Sequence, residues 1–438
     1  MKRATEINEI SSVFKPESLQ ENNLEMFYYD GTMKSRVGVD YVSPIEDIFE
    51  SCTTTPKSAY LLLGHKGCGK TTELNMLKKR LVKENYLVKD INCSIEMDMM
   101  SPNVWDFLVL ITEKLLRIAY EIKCEVNKQL LYNLLNFFKD KEETKEFVDE
   151  ARLGIEGGVE TESPSLLKSI INLFVKISAE VKVGETTKTV IREVVEKRAS
   201  VWKEYVSSIA DVIADRNGGK RPVLIIEDVE KMNITPVSEI FYKYAPTISG
   251  MPFHTIFTFP ISLSYHPDFT SIRGYFSYKT LPMIKIKLPD NSEYIDGIKA
   301  IRTIIEKRAS LELFAEGVID LLIKKTGGSL RDLFMVIINA GKRARNRGVS
   351  TIEFEDSEWA LSEMQSELTR MIDGRDYQYL INIIKSPNKK LIENNEHLLK
   401  MLQALVVLEY HNGKRWQDVH PLVTDFLIEN VMNEKETK

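Results

Sequence analysis

A glycine-rich stretch between an apolar run and an amphipathic segment is the clearest chemical feature of the sequence. It fits the pattern G-x-x-x-x-G-K-[ST] over residues 64–71, and a second threonine follows. Glycines let the backbone curve around an anion, and the N–H groups of such a loop point towards it. The Lys70 side chain would reach the β- and γ-phosphates of a nucleotide, and the Thr71 hydroxyl would bind Mg²⁺. The residues predicted to hold the nucleotide are Gly64, His65, Lys66, Gly67, Cys68, Gly69, Lys70, Thr71 and Thr72.

A pair of carboxylates after a second apolar run is the other chemical feature. Residues 223–226 are Val-Leu-Ile-Ile, and Glu227 and Asp228 follow directly, in a stretch that ends at Glu230. A buried parallel strand delivers such side chains to the carboxyl edge of its sheet, where the phosphate loop also lies. We therefore predict that Glu227 and Asp228, together with Thr71, handle Mg²⁺ and water beside the γ-phosphate.

The elements that must position these residues are strands that alternate with helices. Apolar runs at 60–63, 86–93, 223–226, 255–260 and 283–288 predict a sheet of about five parallel strands with helices on both faces, an α/β fold. Residues 104–122 are apolar on nearly all sides and predict a helix buried against that sheet. Residues 189–215 predict one long helix, and periodicity of 3.6 residues predicts further helices at 295–308, 314–325 and 330–345.

The same patterns divide the chain into four parts. Residues 1–55 form a polar, partly irregular lead-in with a helix near 44–52, and residues 56–290 form the core. Residues 291–372 form a helical lid, and residues 373–438 form a C-terminal module. In that module, helices near 377–384 and 396–402 precede β-rich runs that flank Asn412-Gly413, a strong hairpin signal that suggests a winged helix.

An insertion is predicted in the core at about residues 139–188. Residues 154–164, rich in Gly, Glu, Ser and Thr, predict a loop. Residues 166–177 predict an amphipathic helix face. Few basic residues flank that face, which favours packing within the protein or at a subunit interface over a membrane surface.

Composition limits the kind of protein. The chain has 438 residues, of which 43% are hydrophobic and 28% charged, with a formal net charge of −5. A mildly acidic chain is not one covered in charge for binding nucleic acid. There is no apolar run of the roughly 18–20 residues that a membrane span needs, and the N-terminus lacks the apolar stretch of a signal peptide. The four cysteines have no C-x-x-C spacing, which argues against a metal site and a disulfide framework. We expect a cytoplasmic protein that does not associate with membranes.

Taken together, the motifs resemble those of the AAA+ and STAND P-loop ATPases, and most closely replication-initiator-type proteins and prokaryotic defence ATPases. The resemblance spans nearly the whole chain except the insertion. Residues 64–71 are similar to Walker A, and residues 226–228 to Walker B. The resemblance implies that Thr258 is sensor 1, and that Arg273 is an arginine finger acting on a neighbouring subunit. It further implies that Arg331, in Gly-Gly-Ser-Leu-Arg at 327–331, is sensor 2 on the lid.

The resemblance implies an ATPase that uses ATP and Mg²⁺ and assembles into a homo-oligomer. Walker B usually has Asp before Glu, whereas Glu227 precedes Asp228 here, which implies slow hydrolysis suited to a switch. A role in prokaryotic antiphage defence would require a separate effector protein, because the sequence contains no nuclease, protease or TIR-like signature.

Two alternatives remain open. One is a DNA-binding initiator or loader in which ATP licenses binding, with phosphate contacts from Lys385, Lys389, Lys390, Lys400, Lys414 and Arg415. The acidic residues Glu393, Glu396, Glu409 and Asp418 dilute that basic patch. The other alternative is a nucleotide-bound scaffold without turnover.

Overall fold

The computed structural model describes residues 2–38, 42–139, 141–156, 163–387, 389 and 396–432. Lys390 of the predicted basic patch and Glu393, one of the acids that dilute it, lie outside the described residues. So does the middle of the loop predicted at 154–164, whereas its two ends belong to helices. Among the described residues, no helix is both long and apolar enough to cross a bilayer.

The N-terminal segment is more helical than its polar sequence indicates. It contains α1 (Ile10–Val13), α2 (Glu21–Phe27), α3 (Gly31–Val37) and α4 (Pro44–Thr54). Helix α4 begins where predicted, because Ser43 caps its first turn by accepting the Ile45 N–H at 3.2 Å. Leu24 and Phe27, three residues apart on α2, are buried in the hydrophobic core of the lid.

The core begins with the predicted strand, loop and helix. Its first half contains β1 (Ala59–Gly64), α5 (Lys70–Lys83), β2 (Val88–Asn92), α6 (Cys93–Glu96), α7 (Val104–Glu121) and α8 (Lys128–Asn136). Helix α7 is the apolar helix predicted at 104–122, and its burial extends around most of its circumference. It packs below the sheet and against the insertion.

The insertion is helical and packs within the chain. It contains α9 (Glu142–Glu156) and α10 (Ser163–Val183), and α11 (Thr186–Lys197) and α12 (Ala199–Arg216) lead back to the sheet. The apolar face predicted at 166–177 lies on α10 and is buried against α7, which favours the intramolecular option. The single long helix predicted at 189–215 is wrong, since the chain breaks at Arg198, whose φ of −120° is not helical. Hydrophobic periodicity continues across that break, so the pattern does not reveal it.

The second half of the core completes a five-stranded parallel sheet. It contains β3 (Val223–Glu227), α13 (Ile234–Lys243), α14 (Ala245–Ser249), β4 (His254–Pro260), α15 (Phe269–Ile272) and β5 (Ser277–Thr280). The strand order is β2-β3-β4-β1-β5, and all neighbours run parallel. Strands β1, β3 and β4 are buried along their whole length, as central parallel strands are. The phosphate loop after β1 and the acids after β3 therefore flank the end of β4.

The fifth strand was predicted in the wrong place. Residues 283–288 were expected to be a strand, but the strand is β5, which is polar and only partly buried. An edge strand faces solvent, so its sequence need not be apolar. Residues 283–288 instead pass beneath the C-terminal hairpin, where the Met283 N–H donates to the Glu409 carbonyl at 3.3 Å and the Lys285 ammonium donates to the His411 carbonyl at 2.8 Å.

Residues 291–372 and 373–438 contain the helices and the hairpin that the sequence predicts, together with a further helix, α19. The lid contains α16 (Ile295–Arg308), α17 (Val318–Lys325), α18 (Leu330–Asn346) and α19 (Phe354–Arg370). Helix α17 begins four residues later than predicted, because Phe314 pairs with Ile352 in an isolated bridge. The C-terminal module contains α20 (Tyr377–Lys385), α21 (Glu396–Gln403), β6 (Val407–Asn412), β7 (Lys414–Val419) and α22 (Pro421–Leu427). Strands β6 and β7 form the antiparallel hairpin that Asn412-Gly413 predicts.

Short helices of other types join these elements. The 3₁₀ helices are Ile7–Glu9, Val229–Lys231, Ile261–Tyr265, Leu311–Leu313 and Gly374–Asp376, and a π-helical turn at Ile428–Met432 ends the described chain.

Candidate functional site

The phosphate loop has the conformation that its glycines allow. Gly67 and Gly69 have φ of +78° and +102°, and Gly69 caps the N-terminus of α5. Only glycine adopts such angles without steric cost. A side chain would also lack room, since a Cβ on Gly67 would lie 2.4 Å from the Cβ of Arg331. The loop is thus a turn that leads straight into a 14-residue helix, the arrangement that binds phosphate.

Lys70 is buried at the base of this loop and has an acidic partner. Its Nζ donates to the carbonyls of Gly64 and His65, at 3.1 and 2.8 Å, and lies 3.0 Å from Glu230 Oε1. Burial disfavours the ammonium ion, but the nearby acidic groups, chiefly Glu230, together outweigh burial, so the pKa of Lys70 is raised. Lys70 is therefore a buried positive charge held in place at the base of the loop.

Glu230 is a residue of the site to which the sequence patterns assigned no role. It is 5% exposed, and its Oε2 accepts a hydrogen bond from the Thr258 hydroxyl at 2.6 Å. Burial raises its pKa, but the charge of Lys70 and the Thr258 hydrogen bond outweigh burial and hold the pKa below its usual value. Thr258 lies on β4, between the loop strand and the acid strand, and so reaches Glu230 rather than Glu227 or Asp228. The only sequence signal for Glu230 was its place in the acidic stretch after β3.

The two predicted acids lie in different environments. Glu227 ends β3, and burial, together with the nearby Asp90, Asp228 and Glu230, raises its pKa to about 8. Asp228 has φ of +68°, and both of its oxygens are engaged. Oδ2 accepts from the Ser94 hydroxyl at 2.7 Å, and Oδ1 lies 2.8 Å from the Lys231 ammonium. Both acids line the same cleft as the phosphate loop.

The lid contributes Arg331 to the cleft. Gly327 and Gly328 turn the chain with φ of +62° and +81°, and a Cβ on Gly328 would lie 1.8 Å from the Ile284 carbonyl oxygen. Helix α18 then begins, with Ser329 as its N-cap accepting the Asp332 N–H at 3.4 Å. Arg331, in the first turn, lies against Gly67 with its side chain at the cleft.

The N-terminal segment closes the remaining side of the cleft, and sequence reasoning missed it. Arg36, 1% exposed, donates to the Cys68 carbonyl at 2.6 Å and also to the Pro282 carbonyl, so it ties the loop to the end of the sheet. The Leu19 N–H donates to the Thr72 hydroxyl at 3.2 Å. The signal in the sequence was weak, because Arg36 lies in a short helix and only the fold buries it.

The cleft bounded by these parts has a volume of about 600 Å³, within the usual range of small-molecule sites. Three features define the type of core. They are a glycine-rich turn between β1 and α5, a buried lysine at its base and acids at the end of β3. The chain has a parallel α/β core with the fold of P-loop proteins.

Comparison with known proteins gives similarities of fold at low identity. No protein-family model and no curated protein matches the sequence. Among solved structures, the Aeropyrum pernix ORC2 protein with ADPNP and ADP is 13% identical with a TM-score of 0.41, over 97% of this chain and 98% of that one. A Walker-type ATPase of Pyrococcus abyssi is 12% identical with a TM-score of 0.42, over 95% and 99%. The Aeropyrum pernix ORC1 protein in complex with DNA is 13% identical with a TM-score of 0.37, over 96% of both chains.

These TM-scores are low, and the strand order and phosphate loop of this chain define its fold.

The structure places the remaining predicted residues as follows. Gly67, Gly69, Lys70, Thr71 and Thr72 line the cleft, whereas the side chains of His65 and Cys68 are buried away from it. Gly64 ends β1 and Lys66 is half-buried in the loop. Arg273 is exposed at the end of α15 and does not line the cleft within its own chain.

His65 joins the P-loop to the C-terminal hairpin. Its Nε2 accepts the Glu409 N–H at 2.8 Å, so the neutral ring carries its proton on Nδ1, which donates to the Leu402 carbonyl at 3.2 Å. Burial, with a smaller effect of Lys70, lowers the pKa of His65 to about 3. The Tyr410 hydroxyl also donates to the Gly327 carbonyl at 2.6 Å, at the hinge of the lid. The hairpin therefore contacts both the loop and the lid.

The basic patch predicted on the C-terminal module is smaller than expected. Lys389 is buried and lies 3.2 Å from Asp418, which also pairs with Lys287 at 2.5 Å. Glu409 is buried as well, where it accepts hydrogen bonds from Tyr265 and Gln417. Lys385, Lys400, Lys414 and Arg415 remain exposed.

Proposed function

We propose that the protein is an ATP-dependent molecular switch that hydrolyses ATP slowly. The observation that carries the proposal is the position of Arg331, which a lid helix holds against Gly67 of the phosphate loop. An arginine in that place can contact a terminal phosphate only while the lid is closed. Nucleotide state would then set the lid angle, and the hairpin contacts at His65 and Gly327 would extend the change to the C-terminal module.

Mg²⁺ fits the oxygen donors that line the cleft. Among the described residues no group of three His, Cys, Asp or Glu side chains could hold a metal by itself. Mg²⁺ in nucleotide sites is usually held by one or two protein oxygens together with phosphates and water. Thr71 with Glu227 or Asp228 would hold the ion, which would neutralise phosphate charge. Burial and the neighbouring acids raise the pKa of Glu227 to about 8, and the positive charge of a bound cation would favour its ionised form.

The chain's own residues would each have a defined task. Lys70 and the N–H groups of the loop bind the phosphates, and Arg331 adds positive charge from the lid. Arg36 and the Leu19 backbone hold the loop and α5 in place from the N-terminal side. Stabilisation of negative charge on the phosphates by such fixed groups is the main source of catalysis in phosphoryl transfer.

Assembly is the second part of the proposal. Arg273 is exposed and outside its own cleft, as an arginine finger that acts on a neighbouring subunit must be. We propose a homo-oligomer in which Arg273 reaches the next subunit's nucleotide. From the resemblance alone, we also propose a role in prokaryotic antiphage defence through a separate effector protein.

The alternatives make different predictions about DNA and turnover. A DNA-binding initiator or loader would use the exposed Lys385, Lys400, Lys414 and Arg415, and its duplex affinity would fall steeply with salt. A scaffold would bind ATP without releasing phosphate.

The proposed function is tested by ATP binding and phosphate release for the wild type and Lys70→Ala, with duplex DNA binding measured in parallel over a salt series. We expect the wild type to bind ATP and release phosphate slowly, and Lys70→Ala to do neither. ATP binding without phosphate release would indicate the scaffold, and ATP-dependent, salt-sensitive duplex binding would indicate the initiator. A wild type that does not bind ATP would refute the proposal.

A further inference from the structure

Glu230 forms an ion pair with Lys70, the positive side chain that the phosphate loop needs to bind phosphate. The Lys70 ammonium and Glu230 Oε1 are 3.0 Å apart, and both side chains are almost completely buried, with 2% and 7% of their surfaces exposed. A bound triphosphate would place its own negative oxygens at Lys70 and so compete with Glu230. The Glu230 carboxylate, once displaced from Lys70, would lie next to the γ-phosphate.

Thr258 determines the position of the Glu230 carboxylate after Lys70 is released. Its hydroxyl donates to Glu230 Oε2 at 2.6 Å and is itself fully buried on β4. Because Thr258 holds one oxygen and Lys70 the other, release of Lys70 frees Oε1 while the side chain stays anchored through Oε2. An anchored carboxylate with one free oxygen at the phosphate is suited to bind a water molecule.

Asp228, the acid that the Walker B resemblance would favour for this task, is occupied. Ser94 and Lys231 engage its two oxygens at 2.7 and 2.8 Å, and neither is part of the phosphate loop. Its side chain is also shorter than that of Glu230 by one methylene group.

We propose that Glu230 positions the attacking water in ATP hydrolysis, that Thr258 anchors its carboxylate, and that Glu230 covers Lys70 until ATP binds. This inference rests on the proposed ATPase function. In the reaction, the water oxygen bonds to the γ-phosphorus as the bond to the β–γ bridging oxygen breaks. ADP leaves with the electron pair of that bond. One proton of the water stays on the released phosphate and the other passes to solvent.

The test is a double-mutant cycle of Glu230→Gln and Thr258→Val, both close to the native side chains in size. Steady-state phosphate release gives kcat and KM, and equilibrium binding of ADP and of a non-hydrolysable ATP analogue gives affinity. We expect Glu230→Gln to lower kcat about 100-fold, the size typical of a group that acts on the reacting water. Its affinity for nucleotide should be equal or higher, because Lys70 has lost its competitor. Thr258→Val should lower kcat in the same direction, and the double variant should be no slower than Glu230→Gln.

Glu239→Gln, an exposed glutamate on α13, is the matched control and should leave every parameter unchanged. If Glu230→Gln cannot be purified as a folded protein, Thr258→Val alone must lower kcat with an unchanged KM. A Glu230→Gln variant with kcat within threefold of the wild type would refute this inference alone, provided that the wild type turns over. A tenfold weaker affinity for the analogue would also refute it, since Glu230 would then be a structural support of the loop. A wild type that binds ATP without turnover would refute the ATPase proposal and this inference with it.

Discussion

Acidification should lower the free energy of unfolding of the protein through His65 of the phosphate loop. The pKa of His65 is about 3 in the folded protein, because the ring is buried, and about 6.5 for an exposed histidine. Below pH 6.5 the unfolded chain therefore takes up a proton that the folded chain does not. Stability that depends on neutral His65 is complete above about pH 7 and is lost progressively as the pH falls towards 3. Lys70 lowers this pKa further, whereas the hydrogen bond to the Leu402 carbonyl and, to a smaller extent, Asp332 oppose the shift.

The size of the effect follows from the two pKa values. Between pH 7.5 and pH 5.0, a pKa of about 3 against one of about 6.5 corresponds to a loss of about 2 kcal/mol. In a chain of 438 residues, loss of this size should lower Tm by about 2 °C. In the variant His65→Gln, an amide can still accept from the Glu409 N–H or donate to the Leu402 carbonyl, but it does not titrate.

The assay is thermal unfolding of wild type and His65→Gln at both pH values. Other groups also titrate in this interval, so the quantity of interest is the difference in pH dependence between the two proteins. We expect the wild type to lose about 2 kcal/mol more stability than His65→Gln on acidification. An identical fall in Tm for both proteins would refute the conclusion that His65 is buried and neutral between the phosphate loop and the C-terminal hairpin.

Three further substitutions test other contacts of the site. Gly67→Ala should weaken ATP binding at least about tenfold, because a left-handed alanine costs about 1–2 kcal/mol and its Cβ would displace Arg331. The control is Gly219→Ala, where φ is +84° and a Cβ meets open space; it should leave ATP affinity unchanged in the same titration. Arg36→Met should lower both Tm and ATP affinity, because it leaves the Cys68 and Pro282 carbonyls without their donor at about 1–3 kcal/mol each; unchanged values would contradict that role. Tyr410→Phe should lower Tm by about 1 °C through loss of about 1 kcal/mol at the Gly327 carbonyl, and an unaltered melting curve would argue against this contact.

Local patterns were enough to predict the parts of the site that lie close together in the sequence. The loop at residues 64–71, the acids after β3 and the hairpin at Asn412-Gly413 each depend on neighbours within a few residues. Helix α7 was predictable for the same reason, because its apolar surface repeats along one continuous segment. Strand β5 was not, since an edge strand with half-exposed residues lacks an apolar pattern.

The contacts that sequence reasoning missed join residues that lie far apart in the chain. Arg36 lies 32 positions from the Cys68 carbonyl that it binds, and Thr258 lies 28 positions from Glu230. His65 meets Glu409 across 344 positions. Nothing in the sequence near Glu230 distinguishes it from a surface acid, because only the fold places Lys70 and Thr258 beside it. The strand order β2-β3-β4-β1-β5, which a list of apolar runs does not specify, creates that proximity.

The central claim is that the protein is an ATP-dependent switch that assembles with copies of itself, and molecular mass in solution tests it most directly. Light scattering would be measured with and without ATP and Mg²⁺ for the wild type, Lys70→Ala and Arg273→Ala. We expect the wild type to gain mass with ATP, Lys70→Ala to remain unchanged, and Arg273→Ala to hydrolyse ATP more slowly than the wild type. A wild-type mass that stays constant while nucleotide is bound would contradict the claim.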